Sequence, residues 1–91
     1  MENNKLMVVT SKYVMIDKMP ILEVYHDDDE EGGSYWQFHC GNGDYSMENM
    51  LLVTMQSIIN LDSSLKELLV YPVGTVAKRE TVNSKWEIEY S

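Results

Sequence analysis

His26, Asp27, Asp28, Asp29, His39 and Cys40 are the residues of this chain whose chemistry and spacing come nearest to a reactive site. If the two segments that carry them pair as a hairpin, imidazole, carboxylate and thiol groups converge in a set able to bind zinc or another transition metal. Structural zinc sites draw on several Cys and His at characteristic spacings, whereas this chain has 1 Cys and 2 His. The expectation is therefore no metal and no cofactor. Asp27-Asp28-Asp29 lacks the alternating twelve-residue ligand pattern of a calcium loop, and Gly41-Asn42-Gly43 is too short for a phosphate-binding fingerprint. His39 and Cys40 are neighbours on an expected strand, so they point to opposite faces and cannot form a nucleophile–base dyad. No acid lies in an apolar stretch that would raise its pKa. These residues indicate a protein that is not an enzyme, with His39 facing solvent or lying at an edge and Cys40 filling a small core position.

The aspartates belong to a run of acids, Asp27, Asp28, Asp29, Glu30 and Glu31, which ends in Gly32-Gly33 and leads into Ser34-Tyr35-Trp36-Gln37-Phe38-His39-Cys40. Like charges in series repel and stay hydrated, so the run is expected to be a solvated loop between two strands. It is either a solubilising turn or a bait for a basic partner. The chain has 15 acids against 7 bases, a net charge of −8, which disfavours DNA, RNA and anionic membrane surfaces as partners. At 91 residues it forms a single expected domain, 1–91, in which a deep pocket would compete with the core for the same apolar side chains. Binding through a surface is the expectation. One cysteine allows no intrachain disulfide, the first residues lack the features of a signal peptide, and no apolar stretch approaches the ~20 residues that span a bilayer. A cytoplasmic protein is expected.

The elements that must hold these residues follow from periodicity. Residues 6–10 form a continuous apolar run suited to a central strand, and residues 11–18 suit a turn or a single helical turn ending before Pro20. Residues 21–26 alternate, with Leu22 and Val24 on one face and Ile21, Glu23 and Tyr25 on the other. After the acidic loop, Trp36, Phe38 and Cys40 share one face, and Tyr35, Gln37 and His39 the other. Gly41 to Asp44 is a tight turn. A short strand over 51–54 precedes two helical pieces, 55–61 and 63–69, with Ser64 and Glu67 at capping-box spacing. Residues 73–80 and 85–90 make a closing hairpin. Opposite charges favour pairing Glu80 with Lys85 and Lys78 with Glu87, which sets Arg79 against Trp86. The expected architecture is α+β, a mainly antiparallel sheet of five or six short strands with one broken helical segment on one face. The 7 methionines suit a small irregular core, with an adaptable Met-rich contact surface as the alternative.

The order of motifs adds a family likeness. Thr10-Ser11-Lys12 after an apolar strand, Tyr35-Trp36-Gln37-Phe38 followed by Gly41 to Asp44, the segment 50–62, Pro72-Val73-Gly74-Thr75 and a closing Trp86 cover most of the chain. Together they resemble the immunity protein thirty-three family of bacterial polymorphic-toxin systems, formerly catalogued as a domain of unknown function. His39-Cys40 and Asn42 depart from that pattern. The resemblance implies a cytosolic protein that binds and neutralises a cognate protein toxin without doing chemistry. Acidic side chains suit that role, because carboxylates can occupy a basic cleft in place of phosphates. The expected partner-binding residues are Asp27, Asp28, Asp29, Glu30 and Glu31 for steering, Asp44, Tyr45 and Glu48 near the neighbouring turn, and Tyr35 as aromatic anchor. Trp36 and Phe38 are expected in the core. The competing reading is a small ligand- or metal-binding accessory or regulatory domain. A third is a homodimer paired through 85–90, which Glu87 and Glu89 oppose at an edge, so a monomer is favoured.

Overall fold

Strict alternation through Ser34–His39 makes this segment, β3, the spine of a six-stranded sheet in the computed structural model, which describes residues 6–90. The other strands are β1 (Met7–Ser11), β2 (Glu23–Asp28), β4 (Met50–Thr54), β5 (Thr75–Lys78) and β6 (Glu87–Tyr90), and they lie in the order β4-β1-β3-β2-β5-β6. All neighbours are antiparallel except β1 and β3, which run parallel with Val9 beside Gln37. The architecture is the expected α+β one.

A one-turn helix, α1 (Lys12–Met15), follows β1, with the Ser11 hydroxyl accepting from the Val14 amide. A second helix, α2 (Met55–Leu61), is capped by Thr54 and continues into a 3-10 segment, Ser63–Val70. Met55, Ile58 and Ile59 of α2, with Leu65 and Leu68 beyond it, pack on Val8, Val24, Trp36, Phe38 and Ala77 of the sheet. All of these strand residues belong to one face. Cys40 is buried there too, and Trp36 and Phe38 are core as expected.

Several expectations are corrected in detail. The acidic run is not wholly loop: Asp27 pairs with Tyr35 and Asp28 with Ser34, because the ladder continues as far as the partner strand allows. Strand β2 starts at Glu23 rather than at residue 21, and Ile21 is buried instead of sharing the face of Glu23 and Tyr25. The cap between the helical pieces is Asp62, which accepts from the Ser64 amide at 3.0 Å, rather than Ser64 itself. His39 is 3 % exposed rather than facing solvent or lying at an edge, since β3 is an interior strand and the rings of Tyr25 and Tyr45 flank the imidazole. The closing hairpin keeps the expected register, Lys78 opposite Glu87, although its ladder is shorter than 73–80 and 85–90. Pro72 and the positive φ of Gly74 delay entry into β5, and the Arg79 side chain turns in to bond the Ile21 carbonyl.

Candidate functional site on the open face of the sheet

With the helices on one side, the alternate side chains of every strand project from the other. The registers place Val9 beside Leu52 and Gln37, then Tyr25 opposite Gln37 and beside Val76, with Glu23 opposite His39 and beside Lys78, and Glu87 and Glu89 at the far edge. This face runs from an apolar end on β4 and β1, through an aromatic middle, to a charged end on β5 and β6.

A polar chain crosses the middle. The Asp27 carboxylate only accepts, so the Gln37 amide nitrogen faces it, at 2.8 Å, and the Gln37 carbonyl oxygen faces His39 Nε2 at 3.0 Å. His39 therefore donates from Nε2, and its Nδ1 is a buried acceptor without a hydrogen-bond partner. The ring is held edge-on between Tyr25, 5.9 Å away, and Tyr45, 4.9 Å away. Both tyrosine hydroxyls donate to the same Glu23 oxygen, Tyr25 at 3.2 Å and Tyr45 in a closer contact. Burial holds His39 below its ordinary pKa, opposed by the negative charge of Glu23. Burial and Glu23 raise Tyr25 and Tyr45. The result is a neutral imidazole flanked by protonated phenols, a surface of hydrogen-bond donors and acceptors.

Two hollows border this cluster. One of about 420 Å³ is walled by Val9, Tyr35, Met47, Met50 and Leu52 with Gln37, His39 and Tyr45. The second, about 260 Å³, lies among Tyr25, Asp27, Gln37, His39 and Tyr45. Both are open grooves.

The expected partner-binding residues fall into three places. Asp27, Tyr35 and Tyr45 come together on the open face. Asp28, Asp29, Glu30 and Glu31 form the β2–β3 tip at one end of β3, where the Asp29 carboxylate accepts from the amides of Glu31 and Gly33, both at 2.9 Å. A Cβ on Gly33 would lie 2.7 Å from Asp29 Oδ2, so any larger residue there would push the Asp29 carboxylate from its present place. Asp44 and Glu48 sit at the opposite end of β3. Asp44 is committed to scaffold, accepting from the Tyr13 hydroxyl at 2.5 Å, the Asn49 amide at 2.9 Å and the Ser46 backbone at 3.0 Å. Those bonds, Tyr13 first, hold its pKa far below the carboxylate range.

Sequence reasoning missed Glu23, Tyr25, Gln37 and His39 as parts of this site. Alternation puts Tyr35, Gln37 and His39 on one face; the missing information was that the core-forming helices lie on the other face and that Tyr45, from beyond the turn, packs on His39. Among the described residues no group of three His, Cys, Asp or Glu is arranged to hold a metal ion, and no helix is long and apolar enough to cross a membrane. Comparison with protein-family models, curated proteins and solved structures finds no match.

Proposed function

We propose that this protein is a non-enzymatic, immunity-type binding protein that docks a cognate bacterial toxin with a basic surface on its open sheet face and neutralises it. The observation that carries the reading is the sheet face opposite the helices, which among the described residues combines Glu23, Asp27, Glu87 and Glu89 with Tyr25, Tyr35 and Tyr45. Tyrosines supply rigid contact area with a polar tip, and surrounding carboxylates steer a cationic partner. The acidic tip at Asp28–Glu31 projects beyond this face and extends its field. The toxin assignment rests on the family resemblance; docking of a basic protein rests on the surface.

The test is a tagged pull-down from host lysate at low salt and at about 0.5 M salt, where the screening length falls to a few ångströms. One stoichiometric partner with a toxin-like C-terminal domain, partly lost at high salt, is the expected result. A lysate known to contain such toxins that yields no partner overturns the reading.

The groove of about 420 Å³ favours a second reading, a small-ligand accessory domain, because its volume falls in the range of ligand pockets and its walls combine apolar side chains with Gln37, His39 and Tyr45. A metabolite or metal that raises the melting temperature of the wild type but not of His39→Phe would favour this reading over protein docking.

A further inference from the structure

Strand β4, Met-Leu-Leu-Val-Thr, is an outer edge of the sheet and carries no charge and no proline. Edge strands are ordinarily guarded by such residues, and the other edge, β6, has Glu87 and Glu89. The direction of each backbone group on β4 follows from its pairing. The Met55 N–H donates to the Leu6 carbonyl at 2.7 Å, and the same register continues as Met7–Thr54, Val8–Val53, Val9–Leu52, Thr10–Leu51 and Ser11–Met50. Hydrogen-bonded and non-bonded pairs alternate in an antiparallel ladder. Val53 and Leu51 therefore turn their N–H and C=O groups toward β1, and Met50, Leu52 and Thr54 turn theirs outward.

Among the described residues, two of the six outward groups are already used. The Met50 N–H donates to the Met47 carbonyl. Thr54 is the N-cap of α2, so its carbonyl accepts the first bond of that helix. The groups left for the edge are both those of Leu52, the Met50 C=O and the Thr54 N–H.

These four are their own complement under a two-fold axis beside Leu52. Each Leu52 N–H meets the Leu52 C=O of the second copy, and each Thr54 N–H meets the second copy's Met50 C=O. In a regular ladder the Met50 N–H would pair with the Thr54 C=O, and those are the two groups already satisfied. A foreign strand would bring a carbonyl to the Met50 N–H and an amide to the Thr54 C=O, and leave both unmatched. We propose that β4 is a homodimerisation edge at which a second copy of this chain adds its own β4 antiparallel, centred on Leu52.

The side chains agree with this pairing. Met47, Leu52 and Met7 are 85 %, 67 % and 48 % exposed, all at or beside this edge, and a second copy covers them. No acid of β4 faces another across the axis, so the charge of −8 is kept off the junction. Pairing in the plane of the sheet leaves both open faces on the same side, which joins the two grooves beside Leu52 into one surface. The proposal does not depend on what that surface binds.

Sedimentation equilibrium over about 10 µM to about 1 mM tests it, since self-association follows mass action. The expected mass rises from 10.5 kDa toward twice that value. In Leu52→Lys two ammonium groups would oppose each other at the axis, and the dissociation constant rises at least tenfold, while Glu89→Lys on the other edge leaves it unchanged. Amide exchange gives a readout that needs no variant: the Leu52 and Thr54 amides slow as concentration rises. A wild type that stays at 10.5 kDa, a Leu52→Lys protein that remains dimeric, or exchange at Leu52 and Thr54 independent of concentration overturns the proposal.

Discussion

The guanidinium carbon of Arg79 lies 4.1 Å from the centroid of the Trp86 ring, across the turn that joins β5 to β6. The same group donates twice to the Ile21 carbonyl, at 2.8 and 3.1 Å, and pairs with Asp62 at 2.7 Å. One buried side chain therefore ties the closing hairpin, the entry to β2 and the junction of the helical segments. Desolvation pushes the Asp62 carboxyl up, but the hydrogen bonds it accepts from Ser64 and Arg79 together outweigh this and hold its pKa below the ordinary value. Arg79→Ala is expected to cost about 2–4 kcal/mol, less than a fully buried pair because Asp62 can rehydrate. Arg79→Lys should recover less than half, since an ammonium cannot reproduce the planar fork over the indole. Urea denaturation of the three proteins measures both differences.

His39 gives stability a dependence on pH. Its folded pKa lies below the ordinary 6.5, chiefly through burial, so as pH falls through 6.5 the unfolded chain takes up the proton first. The stabilisation is whole above 6.5 and is lost as pH falls to the folded value, then levels off. Melting temperatures of wild type and His39→Gln should therefore diverge between pH 7.5 and 5, with the wild type losing more. Asp44 and Asp62, whose pKa values are also depressed, act only below their ordinary 3.8 and so in a separate window. Parallel curves for the two proteins across the upper window would show that protonation of His39 is not linked to folding.

The acidic tip divides into residues that shape it and residues that only charge it. Asp29 accepts two backbone amides, and Asp29→Ala should cost about 1 kcal/mol by leaving them to water. Glu30 and Glu31 are exposed, and their change to Gln should alter stability by less than about 0.5 kcal/mol while slowing partner association and flattening its salt dependence. Stopped-flow association at two salt concentrations reads the steering directly. An association rate indifferent to salt in the wild type would remove the tip from the binding mechanism.

The faces of β2 and β3, the helix break near Asp62 and the register of the closing hairpin were legible because each rests on local pattern: alternation, a cluster of poor helix formers, and opposite charges two strands can align. What was not legible depends on topology. Nothing local says that β1 lies parallel to β3 and makes it interior, or that Tyr25 and Tyr45 close over His39 and bury it. Likewise Asp44 reads as surface charge until Tyr13, 31 positions earlier, donates to it. The candidate site was half visible, since Tyr35 and Tyr45 were singled out, but Glu23, Tyr25, Gln37 and His39 join them only once the helices are known to leave that face bare.

Trp36 and Tyr35, adjacent in sequence, should separate stability from binding. Trp36 is buried, stacked on His26 at 3.9 Å and on Phe38 at 6.2 Å, so Trp36→Ala is expected to cost about 3–5 kcal/mol through the cavity it leaves. Tyr35 stands half-buried on the open face and walls the larger groove. Its change to Ala should cost less than about 1 kcal/mol of stability, yet weaken partner binding at least tenfold, as expected for an aromatic anchor. Denaturant melts and binding titrations of the two variants give a crossed pattern if the assignment is right. A Trp36→Ala protein that stays well folded but no longer binds, beside a Tyr35→Ala protein that binds normally, would place the partner on the helical side of the sheet.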